Sequence, residues 1–498
     1  MSLLGVDVGT SGCKAVAFTP DGQALASAYR EYPTHRIRPG WAELDGPTVW
    51  AAILEVIRAT AAGAEQAGDP VRALCAGSMG EAVALVTRDR RVFGPSVLSS
   101  DERGSAYVEA LTARYPQERF YRINPNILGV HYTLPKLLWL REYEPALFHQ
   151  ADRFLLWGDA VLYLLGAEAV ASYSLANRTL LFDLWREDWS DELLAFASLS
   201  REAFGVCVPA GRIVGETSGE AARQCGLRPG VRLVSGGHDQ CCNALGAGLV
   251  RPGQAVCGIG SFECLTPVYA APPEPARLLR HGLNIEHHVL PGLYVSFLYN
   301  QGGTLVTWFR DVFAAAEKET DAHLYNRLNQ EMPEAPTRLL VLPHFERTGP
   351  PHFIGDSAGV IAGLRTATTR GEIFKALLEG ETFYFVESLA ALREMGLDTS
   401  RFVATGGGAR SDRWLQIKAD IWGVPIARPR VTEAGVLGAA ILAGMAVGDF
   451  ASAEEAVTRC VTIERLFEPD PTRHAFYQER TALFRSLYSS LAPLLKQL

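Results

Sequence analysis

The sequence predicts a mixed α/β protein made of two similar halves. Three observations carry this. Strand-like and helix-like periodicities alternate along the whole chain. An opening pattern of strand, glycine loop and strand restarts at residues 254–269. At 498 residues the chain is also too long for one ordinary core.

The elements follow in order. Residues 3–9 and 13–19 are apolar and rich in β-branched side chains. Pro20-Asp21-Gly22 then makes a turn, and Ala24 to Tyr32 can form a third strand, giving an antiparallel meander. In the next stretch Pro47 suits a first helical turn. Val49, Ile53, Val56, Ile57 and Ala61 recur at helical spacing until Asp69-Pro70 ends the helix. "VRALCAGSM" (71–79) and "AVALVTRD" (82–89) read as strands, and 134–142 and 159–165 as helices. The strand "VRLVSGG" (231–237) precedes "HDQCCNALGAG", read as a loop running into a Gly/Ala-rich helix. Arg251-Pro252-Gly253 is a turn at which to divide the chain into 1–250 and 251–498. Beyond it lie the restarted hairpin, helix 303–313, strand 338–343, the long helix 371–395, strand 401–408 and helix 411–422. The small-apolar run Ala434 to Val447 is too short and Gly-rich to span a bilayer, and reads as a tightly packed buried helix.

Composition narrows the function. The net charge is −8 with no basic block, which argues against nucleic acid or an anionic membrane as partner. The N-terminus has no basic region, and Asp7 interrupts its apolar run, so no signal peptide is expected. Nine cysteines without a C-x-x-C pair speak against a disulfide framework or zinc site and place the protein in the cytoplasm. Cys241-Cys242 reads as core filling. No P-loop, G-x-G-x-x-G or H-E-x-x-H occurs. The single G-x-S-x-G, "GDSAG" (355–359), precedes a strand-like run rather than the helix a nucleophile elbow needs.

What remains is three glycine loops and two placed acids. "GTSG" (9–12) and "GIGS" (258–261), one from each half, can turn successive backbone N–H groups toward phosphate oxygens. "TGGGARS" (405–411) follows a strand and opens a helix. Each is also what an ordinary hairpin turn or helix start looks like. Asp7 sits in an apolar strand, where a carboxylate is costly unless paired or bound to a metal, and a Mg²⁺–phosphate complex would supply that partner. Asp239 follows "SGGH" before a helix, where it can take a proton from an attacking hydroxyl or simply act as an N-cap. In the restarted hairpin Gly258 falls where Asp7 stands, so only the first jaw carries the acid.

The chain resembles the FGGY carbohydrate kinases almost end to end. The likeness runs through "GVDVGTSGCKAVAFTPDG" (5–22), "GWAELD" (40–45), "LPKLLWLREYEP" (134–145), "GGHDQ" (236–240), "GQAVCGIGS" (253–261), "GGTLVTWFRD" (302–311) and "TGGGARSDRWLQIKADIWGVPI" (405–426). The resemblance implies two ribonuclease-H-like domains of actin/hexokinase type with the active site in a central cleft. It implies ATP and Mg²⁺ as cofactors. Asp7 would hold Mg²⁺ through water, and Asp239 would be the catalytic base with Gln240 beside it in the sugar site. Thr10, Ser11 and Lys14 would approach the terminal phosphates, and Gly260 and Ser261 would form the second phosphate loop. Gly303, Gly407 and Ser411 would line the nucleotide pocket, with Ser411 where many relatives have Asn. Members of that family are often dimers or tetramers, which makes a homodimer one expectation, though the sequence does not give the oligomeric state.

The sugar pocket departs from the pattern. Ser78, Met79 and Glu81 stand where relatives carry Gln-Met-His-Gly or Asn-Gln-Arg-Glu. Asp101 and Arg103 survive from a Trp-x-Asp-x-Arg motif in which Ser99 replaces the aromatic residue, and this pair also reads as a solvated loop. His238 before the base resembles deoxyketose kinases more than xylulose kinases. The expected activity is ATP-dependent phosphorylation of a terminal hydroxyl of a small ketose, D-xylulose first. Ribulose, fuculose or rhamnulose, glycerol or erythritol, and gluconate are the alternatives. A non-catalytic sugar or nucleotide sensor and an actin-like ATPase are the competing classes; a sensor has no need of Asp239, and an ATPase has no need of sugar.

Overall fold

The computed structural model describes residues 1–431 and 433–497. The first sheet has six strands: β1 (Ser2–Val8), β2 (Gly12–Phe18), β3 (Ala24–Glu31), β4 (Val71–Ser78), β5 (Ile213–Glu216) and β6 (Arg232–His238), in the spatial order β5-β6-β4-β1-β2-β3. β1, β2 and β3 form the antiparallel meander, β4 runs parallel to β1, and β6 runs parallel to β4.

The second sheet contains β7 (Gln254–Ile259), β8 (Glu263–Tyr269), β9 (Glu286–His287), β10 (Tyr294–Val295), β11 (Leu298–Asn300), β12 (Arg401–Thr405), β13 (Ile426–Pro429) and β14 (Ile463–Phe467). Its order is β9-β10-β8-β7-β12-β13-β14, with β11 also on β8. β7 and β8 repeat the hairpin of β1 and β2, and β12 and β13 repeat the parallel positions of β4 and β6. The repeat expected from the sequence is therefore a repeat of topology.

Six helices fix the layers: α1 (Gly46–Gln66), α2 (Asp239–Gly246), α3 (Gly302–Phe313), α4 (Arg370–Glu394), α5 (Asp412–Trp422) and α6 (Ala434–Ala446). The Asp45 carboxylate accepts from Thr48 N at 3.0 Å and starts α1, whose buried Val49, Ile53, Val56 and Ile57 recur at the spacing that covers one sheet face. Thr369 and Glu372 close a reciprocal capping box at the start of α4.

Between the two sheets lies a core of small side chains. It joins Leu3, Ala73 and Val234 from one sheet, Val256, Val403 and Ala427 from the other, and the buried faces of α2 and α6. α2 and α6 pack backbone to backbone. A Cβ on Gly246 would stand 1.9 Å from Ala434 O, and one on Gly438 would stand 1.9 Å from Cys242 O. The Gly/Ala-rich run thus forms the buried helix its composition suggests. Among the described residues no helix is long and apolar enough to cross a membrane.

Candidate active site

The first jaw is the β1–β2 turn. Gly9 N donates to Gly12 O at 3.0 Å, and Tyr32 OH donates to Gly9 O at 2.6 Å, which holds the loop from below. Thr10 and Ser11 are exposed at its tip. Asp7 pairs in register with Lys14 on β2 and Gly77 on β4. Lys14 Nζ is engaged with Glu433 Oε1 at 2.8 Å, so it does not neutralise Asp7 directly. Asp7 Oδ1 is buried without a hydrogen-bond partner among the described residues. Burial, then the charges of Asp239 and Glu433, push its carboxyl up to about 7 against the opposing pull of Lys14 and His238.

The second jaw is the β7–β8 turn. Gly260 and Ser261 are exposed at its tip. Gly303 N donates to Gly260 O at 3.0 Å, and Thr304 N donates to Ser261 O at 3.1 Å. A Cβ on Gly303 would lie 2.2 Å from Gly260 O, so this glycine locks the loop onto the start of α3. Gly407 follows β12, and a Cβ there would meet nothing within 4 Å, which leaves its backbone open to a ligand. Ser411 is spent inside the protein: its hydroxyl accepts from Trp414 N at 3.2 Å as the N-cap of α5 and bonds Asn329 Oδ1 at 2.9 Å.

The acids lie beside these loops. Asp239 is the first residue of α2, and β6 runs into the helix with no intervening loop, unlike the loop expected from sequence. The N-cap position belongs to His238, whose side chain makes no capping bond, so Asp239 is not tied down as a cap. Burial raises its carboxyl above the ordinary range, and His238 opposes that rise. His238 Nε2 stands 3.2 Å from Asp239 Oδ1, and its Nδ1 stands 2.8 Å from Glu286 Oε1. Glu286 is fully buried, and its Oε2 is 3.7 Å from the Arg178 guanidinium. Arg178 also holds Glu81 through Nε (2.9 Å) and Nη2. Burial alone would raise Glu81; Arg178 brings it down to about 2. Asn243 of α2 donates to Thr405 Oγ1 at 3.2 Å, which ties the Asp239 helix to the strand leading into Gly407.

The remaining sugar-site candidates are placed as follows. Ser78 and Met79 are buried at the end of β4, with Ser78 Oγ donating to Met79 O at 3.0 Å, and Gln240 is half-buried next to Asp239. Asp101 and Arg103 form a closed cage rather than a solvated loop. Asp101 is fully buried, and its oxygens accept from Arg103 Nε (2.9 Å), Arg103 Nη2 (2.7 Å) and Ala42 N (2.6 Å). The Arg103 guanidinium lies 3.9 Å from the Trp41 ring centroid and 4.9 Å from that of Trp139. Both oxygens of Asp101 are thus spent within the wall.

Sequence reasoning missed Arg178, Glu286, Phe297 and Glu433. The available signal was a charge in an apolar context, as in "GLNIEHHVL" (282–290). At Asp7 burial and the charges of Asp239 and Glu433 outweigh the pull of Lys14 and His238, and one carboxylate oxygen is left unpaired among the described residues. Hard oxygen donors short of positive charge fit a Mg²⁺–phosphate group. The compact set His238, Cys241 and Glu286 suits a metal less well, because Glu286 already accepts from the imidazole and from Cys241 Sγ (3.2 Å) and faces Arg178.

Residues 2–246 match the N-terminal domain model, and residues 267–447 the C-terminal domain model, of the FGGY family of carbohydrate kinases. The chain is 29% identical to xylulose kinase of Escherichia coli K12, covering 99% of both chains. It is 30% identical to autoinducer-2 kinase of Yersinia enterocolitica, covering 98% of this chain and 94% of that one. Its structure superposes on the crystal structure of xylulose kinase from Rhodospirillum rubrum with TM-score 0.89 at 27% identity, covering 99% of this chain and 100% of that one.

Proposed function

The chain belongs to the FGGY family of carbohydrate kinases, and from that premise we propose that it transfers the terminal phosphoryl group of ATP to a terminal hydroxyl of a small ketose, D-xylulose first. The observation that carries the reading is the pair Asp7 and Asp239. Both carboxyls are half-buried and raised, Asp7 partly by the charge of Asp239, and Asp7 leads directly into the first glycine turn.

Asp239 is the base. A carboxylate whose proton affinity is raised accepts the hydroxyl proton readily as the sugar oxygen bonds to phosphorus and the bridging oxygen departs with ADP. Thr10, Ser11 and Lys14 on one side, and Gly260 and Ser261 on the other, hold the phosphates. Gly303 and Ser411 shape the nucleotide pocket from behind, and Gly407 gives the nucleotide its backbone approach. Asp7 would hold Mg²⁺, which would supply charge neutralisation to the phosphates. Glu81, Gln240, Ser78 and Met79 contact the sugar, and Asp101 with Arg103 keeps the wall in place. In this reading 1–250 carries the sugar site and base and 251–498 the nucleotide. The nine free cysteines, seven of them buried, suit a reducing compartment such as the cytoplasm.

A second substrate, autoinducer-2, is favoured by the Yersinia relative and by Ser99, which leaves room where the family pattern has an aromatic ring. The test is ADP release across a panel of ketoses, polyols, aldonates and autoinducer-2. D-Xylulose is expected to give the highest kcat/KM. ATP hydrolysis that needs no sugar would overturn the kinase reading.

A further inference from the structure

We infer that His238 and Glu286 are positioning residues for Asp239: the imidazole, hydrogen-bonded to Glu286, sets a positive charge beside the Asp239 carboxylate and favours its ionised form against the negative charges of Glu81 and Asp7. The inference rests on the reading of Asp239 as the base. The geometry comes first. Nδ1 faces Glu286 Oε1 at 2.8 Å and Nε2 faces Asp239 Oδ1 at 3.2 Å. Nδ1 makes a hydrogen bond to Glu286, whereas Nε2 only stands within ion-pair distance of Asp239; a carboxylate within 3.2 Å of each nitrogen favours the charged, doubly protonated ring. Burial disfavours that charge, while Glu286 and then Asp239 favour it, and the net result lies above the ordinary histidine range.

The other charged groups around this pair are Arg178, Glu81 and Asp7. Arg178 makes its close bonds to Glu81 and stands 3.7 Å from Glu286 Oε2, an oxygen with no hydrogen-bond partner among the described residues. Glu286 is therefore left with the imidazole as its main cationic partner. Phe297 packs edge-on against the His238 ring at 5.2 Å and keeps it from swinging away. Glu286 lies on β9 of the second sheet, 48 residues from His238. The proton affinity of a base on one sheet is thus set by a carboxylate from the other, and it changes if the two halves separate.

The experiment is the pH profile of kcat/KM for the sugar from pH 5 to 9 in the wild type, Glu286→Gln, His238→Asn and the double variant, with Asp239→Asn alongside. Removing the imidazolium removes an opposite charge from Asp239. The acid limb should therefore move to higher pH by about one unit in each single variant. The double variant should move no further, and ATP affinity should be unchanged. A uniform fall in kcat with the acid limb unmoved, or no change at all, overturns the inference. If Glu286→Gln does not fold, His238→Asn alone decides. Asp239→Asn separates the two readings: sustained turnover in that variant refutes the base itself, whereas an inactive Asp239→Asn with an unmoved limb in the others refutes only the positioning role.

Discussion

The hairpins β1–β2 and β7–β8 share direction, partners and place in their sheets, yet one holds Asp7 where the other holds Gly258. Space does not dictate the difference. A Cβ on Gly258 would meet its nearest neighbours at 3.6 Å, an ordinary contact. The hairpin forms without an acid, so Asp7 is an addition to the fold rather than a requirement of it. The second half lends one buried carboxylate, Glu286, to His238 across the cleft, and spends two others on itself. Glu263 bonds Lys418 Nζ through both oxygens at 2.6 Å with both side chains fully buried, and Glu381 beside them is raised to about 8 by burial and by Glu263. The acids assigned to the chemistry, Asp7 and Asp239, come from the first half, and Glu286 and Glu433 of the second half act on them or on their neighbours.

Breaking each half in turn sharpens this contrast. The largest effect on turnover is expected from Asp7→Asn, with kcat falling about 10²–10³-fold, the loss typical of removing one preorganised electrostatic group. The same substitution should stabilise the ligand-free protein. A carboxyl raised from 3.8 to about 7 keeps its proton in the folded state over that interval, so stability falls as pH rises from about 4 to 7 and the penalty is complete above 7. The melting temperature of Asp7→Asn should exceed that of the wild type by about 2–4 °C at pH 8, with the gap closing near pH 4. In the other half, Lys418→Met leaves Glu263 buried and unpaired. It should cost about 3–5 kcal/mol in chemical denaturation, with sugar and ATP KM unaltered in the fraction that folds.

Two glycines test the hairpins at smaller scale. Gly303→Ala drives a methyl toward Gly260 O and should cost about 1–3 kcal/mol while raising KM for ATP and sparing KM for sugar. Gly258→Ala has room and should change stability by no more than about 0.5 kcal/mol. Equal effects at the two positions would remove the distinction between a packed lock and a free strand position.

The sequence made these hairpins legible because turn chemistry and two-residue periodicity are local. The meander β1–β3, helix α1 with its Asp45 cap and the restart at Gln254 need nothing beyond a few neighbours. Asp7 was legible for the same reason, as an acid inside an apolar strand. The partners of the base were not. Arg178 meets Glu81 across 97 residues, and Glu433 meets Lys14 only because α6 packs against β1. Asp101 and Arg103 were legible as a pair, but not as a cage, because Trp41 and Trp139 come from separate segments. Long-range contacts of this kind leave no periodicity to read.

The central claim is that the first half supplies the base and the second the nucleotide seat. Its most direct test is sugar-phosphate formation in Asp239→Asn, measured together with ATP binding. The account predicts product formation reduced at least about 10²-fold with ATP affinity retained. Sugar phosphate formed at the wild-type rate, or ATP binding lost with the carboxylate, would contradict it.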